Sequence, residues 1–236
     1  MQALRQLFGG DLPQVVMFDL DGTLMDSVPD LAAAVDQMLA LRGRPPACIE
    51  RVRDWVGNGA AILVRRALAG SMQHAGVDEH EAESGLADFL RCYAGDHSRT
   101  RLYPGAAELL SALRAGGVKL ALVTNKPERF LPELLADKGL ADSFDWLVGG
   151  DTLPTQKPDP GALFWVLQQA GVSAAQALFV GDSRSDVRAA KAAGVSVVAV
   201  SYGYNHGEPI AAENPDLLVD SLRGHPWFVC DNNFCP

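Results

Sequence analysis

The sequence has no apolar run long enough to cross a bilayer, no stripe of basic residues and no repeated or low-complexity segment. The first absence excludes a membrane-spanning helix. The second, with a formal net charge of −9 over 236 residues, argues against a nucleic-acid partner, because nothing offsets repulsion from a phosphate backbone. A small anionic substrate stays open, since it needs only local positive charge. The third leaves out solenoids and fibres. Cysteine is scarce, and Cys48, Cys92, Cys230 and Cys235 do not form a small disulfide framework, the pattern of reduced thiols in a cytoplasmic protein. The five histidines show no metal-ligand spacing. The first residues carry no apolar h-region, so no secretory leader is expected.

What is present is the composition of an ordinary globular protein, 48% hydrophobic and 21% charged. Its length buries one large core, or one core with a smaller appended domain. Val15-Val16-Met17-Phe18 reads as a fully buried strand. It ends abruptly in Asp19-Leu20-Asp21-Gly22-Thr23, where Gly22 permits a sharp turn. Two carboxylates thus reach the lip of a sheet, where open α/β folds place their ligands. Charge there is costly unless a metal or a cationic group neutralises it.

From Met25 to about Tyr103 no strand is expected. Ser27 and Asp30 are spaced as a capping box, Pro29 suits a first helical turn, and Leu31, Ala34, Val35, Met38 and Leu39 recur at helical spacing up to Gly43. Further helices are expected over 49–56, from Gly59 onward, and from the acidic run at Asp78 through Tyr93. After Pro104 strands alternate with helices: strands at 119–123, 146–148, 177–180 and 195–200, helices at 106–115, 130–138, from Asp159 to Gln169, and 186–193. Alternation of this kind implies parallel pairing through right-handed crossovers. The expected fold is α/β: a doubly wound parallel sheet with a Rossmann-like core built from 1–24 and 104–225. A helical cap, 25–103, is inserted after the first strand, and residues 226–236 form a tail that carries Cys230 and Cys235.

A lone Asp-x-Asp is weak evidence for chemistry. Here the other expected strand ends also carry polar groups: Thr124-Asn125, Lys157 just before a helix, and Gly181-Asp182-Ser183-Arg184-Ser185-Asp186. In a parallel sheet these ends share one edge, so they converge on one crevice. Each has a plainer reading as well. Thr124-Asn125 can simply begin a turn, Lys157 can be a solvated lysine, and Asp182 or Asp186 can cap the following helix.

Phe18-Asp19-Leu20-Asp21-Gly22-Thr23-Leu24, Thr124-Asn125, Lys157-Pro158 and Gly181-Asp182-Ser183-Arg184-Ser185-Asp186 resemble, in order, the four motifs of the haloacid dehalogenase superfamily. The resemblance runs to about Leu222, and the insert resembles the helical cap of the superfamily's phosphatase branch. Val56-Gly57-Asn58-Gly59-Ala60 and Ser201-Tyr202-Gly203-Tyr204 resemble the phosphoglycolate-hydrolysing members of that branch. The resemblance implies an Mg²⁺-dependent phosphate-monoester hydrolase acting on a small phosphorylated metabolite, 2-phosphoglycolate first among them, with neither nucleic acid nor membrane as partner.

The residue types suit that chemistry. Asp19 can attack phosphorus and form an aspartyl-phosphate. Asp21 can protonate the leaving oxygen and then deprotonate water. Lys157 supplies a point positive charge, and Thr124 and Asn125 can donate hydrogen bonds to phosphoryl oxygens. Asp19 and Asp182 are the expected metal carboxylates, with the Asp21 backbone carbonyl implied as a third ligand by the resemblance. Asp186 reads either as a helix cap or as a residue standing behind those ligands. Substrate choice is expected in the cap, where Gly57-Asn58-Gly59 opens a helix whose N–H groups favour an anion, with Arg65 along that helix. A sugar-phosphate phosphatase or phosphomutase fits the same motifs. A phospho-accepting signalling domain, from a different functional class, is opposed by the helical insert and by the paired acids of the first motif.

Overall fold

The structure, a computed structural model, describes residues 7–94 and 97–223. The tail from 226 onward, with Cys230 and Cys235, lies outside the described residues. Among those described, Cys48 and Cys92 are free thiols.

Alternation along β1 (Val15–Phe18) organises the molecule. Val16 and Phe18 point into one apolar layer and Val15 and Met17 into the other, so β1 is buried on both faces. Around it runs a six-stranded parallel sheet, in the order β5 (Trp146–Val148), β4 (Lys119–Val123), β1, β6 (Ala177–Gly181), β7 (Ser196–Val200) and β8 (Leu217–Val219). Leu109, Leu110 and Leu113 from Ala106–Ala115, together with Leu131, Leu134 and Leu135 from Leu131–Asp137, cover the first face. Leu163 and Val166 from Gly161–Ala170, with Val187 and Ala190 from Arg184–Ala193, cover the second. The chain moves outward from β1 through β4 to β5 and then returns to β6 on the other side. The carboxyl ends of β1 and β6 therefore flank the point where strand order reverses, where such sheets bind ligands.

Between β1 and the rest of the sheet the chain builds four helices among the described residues: α1 (Val28–Ala40), α2 (Ile49–Trp55), α3 (Ala60–Ala69) and α4 (Glu79–Tyr93). They pack on an apolar cluster of their own that includes Val35, Val52, Leu63 and Phe89. Phe130 and Tyr204, from the sheet side, join this cluster and seat the helices over the strand ends.

Three local expectations need correction. The stretch from Met25 to Tyr103 does contain strands, since β2 (Met25–Asp26) pairs antiparallel with β3 (Arg101–Leu102) where the chain leaves and re-enters the sheet side. The pairing is made across the whole insert, so no local pattern announces it. Ser27 and Asp30 make no capping box. The Asp30 carboxylate instead accepts from Thr100 N and Oγ1, both at 2.6 Å, and from Arg99 N at 3.3 Å, pinning the returning chain to α1. The helix expected to open at Asp159 starts at Gly161, whose N–H the Asp159 side chain accepts at 2.9 Å.

Candidate active site

Register places the acids. Phe18 sits level with Leu122 of β4 and Val180 of β6, so the residues that follow share one edge of the sheet. Asp19 donates its N–H to Val180 O at 2.9 Å and turns its side chain into a buried crevice, 8% exposed. Gly22 then reverses the chain with φ +96°, and a Cβ there would lie 2.2 Å from Asp182 Oδ2. Only glycine suits that place, on backbone angle and on space alike.

Four charged groups meet at this edge. The Lys157 ammonium, 3% exposed, donates to Asp19 Oδ1 at 2.8 Å and to Asp186 Oδ1 at 2.6 Å. Asp182 accepts from Thr23 Oγ1 at 2.7 Å and from Tyr204 N at 2.5 Å. Oxygens of Asp19, Asp182 and Asp186 all lie within 4.8 Å of one another. Two of the three carboxylates, Asp19 and Asp186, thus share one ammonium, and Asp182 stands beside them. Burial, followed by repulsion from Asp186 and Asp19, holds the Asp182 carboxyl well above its ordinary range. Burial also raises Asp19 to about 6, although Lys157 pulls it down. For Lys157 burial acts downward, yet Asp186 and Asp19 outweigh it and lift the ammonium to about 12.

That surplus of negative charge supplies the test of fit for a divalent cation. Asp19, Asp182 and Asp186 offer only hard carboxylate oxygens, and their repulsion is the kind that Mg²⁺ relieves. The set is suited to Mg²⁺. The Asp21 side chain is not part of it. Both its oxygens take the Lys126 ammonium, at 3.0 and 3.1 Å, so only the Asp21 backbone carbonyl is left for the ligand role inferred for this residue.

Asp186 caps a helix and at the same time holds Lys157. Its Oδ2 accepts from Ser183 Oγ, Ser183 N and Asp182 N, forming a capping box at the start of Arg184–Ala193, while Oδ1 holds Lys157. Thr124 is buried, and its Oγ1 accepts from Lys126 N at 3.2 Å. The Asn125 amide donates to Gly57 O at 3.0 Å and Lys157 O at 2.9 Å. Both amide hydrogens are thereby directed at protein carbonyls, so Asn125 here positions neighbouring backbone instead of facing a phosphoryl group.

Above the acids lies a cavity of about 50 Å³. Gly57, Gly59 and Ala60 line it at the start of α3. Asn58 donates to Ser185 Oγ at 3.2 Å and accepts from Arg66 at 2.8 Å. Arg65 does not belong to this crevice. It pairs with Glu79 at 2.5 Å, two residues on from the cavity-lining Leu63 and so roughly 200° around the helix. Arg66 turns inward, but Trp55 O and Asn58 occupy its guanidinium. Tyr202 and Tyr204 do not line the cavity either. Tyr202 donates to Thr23 O at 2.8 Å, and Tyr204 packs over the start of α1, hydrogen-bonded to Asp26 and Ser27.

The model of the family described as haloacid dehalogenase-like hydrolase matches residues 16–200. The chain belongs to the haloacid dehalogenase-like hydrolases. Among relatives of this hydrolase, the phosphoglycolate phosphatase of Pseudomonas savastanoi pv. phaseolicola is 62% identical over 223 residues, which span 94% of this chain and 82% of the relative. Phosphoglycolate phosphatase 1 of Pseudomonas aeruginosa is 59% identical over the same shares. A crystal structure of a predicted phosphoglycolate phosphatase from Haemophilus somnus is similar with a TM-score of 0.83 and 38% identity, covering 89% of this chain and 94% of that one.

One residue of this hydrolase's crevice escaped the sequence reading. Lys126, to which the sequence alone assigns no role, is 5% exposed, ion-paired to Asp21 and 4.6 Å from the centre of the Tyr93 ring. Burial opposes its charge, but Asp21 and Tyr93 outweigh burial and keep the ammonium above a free lysine's range. Its place directly after Thr124-Asn125 was the available signal. No helix among the described residues is long and apolar enough to cross a membrane.

Proposed function

We propose that the chain is a phosphatase that hydrolyses a small phosphate monoester, 2-phosphoglycolate to glycolate and phosphate, through an aspartyl-phosphate on Asp19. The observation that carries this reading is the buried set of Asp19, Lys157, Asp182 and Asp186 at the sheet edge, with Asp21 beside it under a cavity. The substrate is taken from the relatives, which are named for phosphoglycolate.

Asp19 Oδ1 is held by Lys157, which orients the carboxylate so that its other oxygen attacks phosphorus. As the new P–O bond forms, the ester P–O bond breaks, and Asp21 gives its proton to the leaving glycolate oxygen. Water then attacks phosphorus and loses a proton to Asp21, and the aspartyl-phosphate separates into phosphate and free Asp19. The sum is ester plus water to alcohol plus phosphate, with both aspartates restored. Asp19 and Asp182, with the Asp21 backbone carbonyl, would hold Mg²⁺, and Asp186 fixes Lys157 behind them. Bound there, Mg²⁺ supplies charge neutralisation that lets a phosphate approach carboxylates. The α3 end, with Gly57, Asn58 and Gly59, closes the crevice over the substrate.

The test is a panel of phosphate esters ranked by kcat/KM, with Asp19→Asn as control. A leading kcat/KM for 2-phosphoglycolate, abolished in Asp19→Asn with the fold intact, supports the reading. Preference for a sugar phosphate refutes the substrate, and substantial turnover in Asp19→Asn refutes the nucleophile.

A further inference from the structure

We propose that His206 is a positioning residue: from the sheet side it latches the Gly57-Asn58-Gly59 loop while its imidazole is neutral, and it releases that loop on protonation. The latch itself needs no substrate. Its effect on turnover rests on the phosphatase reading above.

His206 follows β7 in a loop that is tied down on the sheet side. The neighbouring Asn205 accepts from Arg184 N at 2.8 Å and donates to Glu208 O at 3.0 Å. His206 takes φ +55°, a left-handed angle uncommon outside glycine, and its ring crosses to the insert. There Nδ1 stands 2.7 Å from Asp54 O, in the last turn of α2. A carbonyl only accepts, so Nδ1 carries the hydrogen, and in the neutral ring Nε2 is a bare lone pair. The opposite edge of the ring lies against Gly57, where a Cβ would stand 3.6 Å from Cε1 and 3.8 Å from Nε2. Gly57 O meanwhile accepts from Asn125, so two residues of the sheet side grip a loop that lines the cavity.

Protonation undoes this grip. It puts a hydrogen on Nε2, which is buried and has no hydrogen-bond partner. It also adds a cation beside two others. Arg66 on α3 spends its guanidinium on the neutral oxygens of Trp55 and Asn58, and Arg184 opens the helix Arg184–Ala193. Burial pushes the imidazole below its ordinary 6.5, and Arg66 and Arg184 add to that. The bond to Asp54 O and the Asp54 carboxylate act upward without reversing the direction. Once the loop leaves, the ring is in water and titrates near 6.5 again. The hold is therefore at full strength above 6.5 and weakens as pH falls toward the lowered value, tenfold for each unit between the two.

The experiment is hydrogen exchange of the full chain in EDTA, read in peptides spanning 49–59, at about pH 8 and about pH 5. At each pH the wild type is compared with His206→Gly, which accepts φ +55° without strain, and with His206→Asn, which tolerates that angle and keeps a donor. Comparison at one pH cancels intrinsic exchange and the titration of Asp19. At the higher pH the wild type and His206→Asn should exchange about 5-fold more slowly than His206→Gly, the worth of one hydrogen bond. At the lower pH the wild type should fall to the rate of His206→Gly, while His206→Asn keeps its protection. The kcat/KM for 2-phosphoglycolate should follow, the wild type losing about 5-fold relative to His206→Asn on acidification. Equal exchange of wild type and His206→Gly at the higher pH overturns the latch. So does a His206→Asn that matches His206→Gly there, since the hold then comes from the ring and not from the hydrogen bond. A wild-type advantage that persists unchanged at the lower pH overturns release by protonation. If neither variant folds, the wild-type His206 ring resonances decide: they must titrate below 6.5, with protection of 49–59 failing over the same range. Exchange that behaves as expected in a chain that hydrolyses no phosphate ester leaves the latch standing and overturns the proposed function instead.

Discussion

Lys157→Met removes the ammonium that pairs with Asp19 and Asp186, leaving these two carboxylates, with Asp182 close by, without that counter-charge. Breaking a buried ion pair from one side costs about 3–5 kcal/mol. The cost depends on pH, and its sign follows from Asp19. In the wild type the folded carboxyl titrates at about 6 against 3.8 unfolded. Between those values the folded state keeps a proton that the unfolded state has released, so stability falls as pH rises through the window. Below 3.8 this penalty is absent, and above about 6 it is complete. A shift of about two units corresponds to on the order of 3 kcal/mol. Lys157 is among the influences holding that shift down, so its removal lifts the folded value further and widens the window upward. The ammonium itself is raised to about 12 from 10.5, so its own stabilisation is complete below 10.5 and does not vary across this range. Urea denaturation in EDTA should therefore show a small loss for Lys157→Met near about pH 4.5 and roughly 3–5 kcal/mol near about pH 8. The phosphatase assay should show turnover lost at both. A loss that is flat with pH, or below about 1 kcal/mol at the higher pH, refutes the reading of Lys157 as the counter-ion of the cluster.

Three further outcomes follow from the same geometry. Asp21→Asn should cut kcat by on the order of 10²–10⁴ while the far-UV spectrum is retained, and unchanged turnover would remove Asp21 from proton transfer. Gly22→Ala, forced to φ +96° with a Cβ at 2.2 Å from Asp182 Oδ2, should lose at least about 1–3 kcal/mol of stability, measured by denaturant midpoint. Treatment with EDTA should stop phosphate release. Restored Mg²⁺ should raise Tm more at high than at low pH, because protons compete for the same carboxylates; a pH-independent rise would place the metal elsewhere.

Much of the fold was readable because the information was local. β1, β4, β6 and β7 are apolar runs bounded by glycine or acids, and the helices around them end at Gly116, Gly171 and Gly194. Asp19 and Asp182 were readable for the same reason, since each follows directly on a strand, with Asp21 and Asp186 within a few residues of them. What could not be read depends on partners remote in the chain. Asp30 looked like a cap because its sequence neighbours are α1, yet its hydrogen bonds go to Thr100. Arg65 and Arg66 are adjacent in sequence, and only the packing of α3 against α4 turns one to Glu79 and the other inward. Lys126 gains its meaning from Asp21, a pairing across 105 positions that no local pattern carries.

The Asn125 amide is one of the links between the helical insert and the strand-end loops, beside those of Asn58 to Ser185 and of Gln156 to Asn58. Asn125 spends one hydrogen on the insert, at Gly57 O, and the other on Lys157 O. A departure of the insert from the sheet edge strips the first of these bonds and bares an N–H and a carbonyl. Water must fill both places. Opening the crevice and wetting this amide are thus coupled, and under the proposed mechanism the water that would release the aspartyl-phosphate enters where that bond is broken.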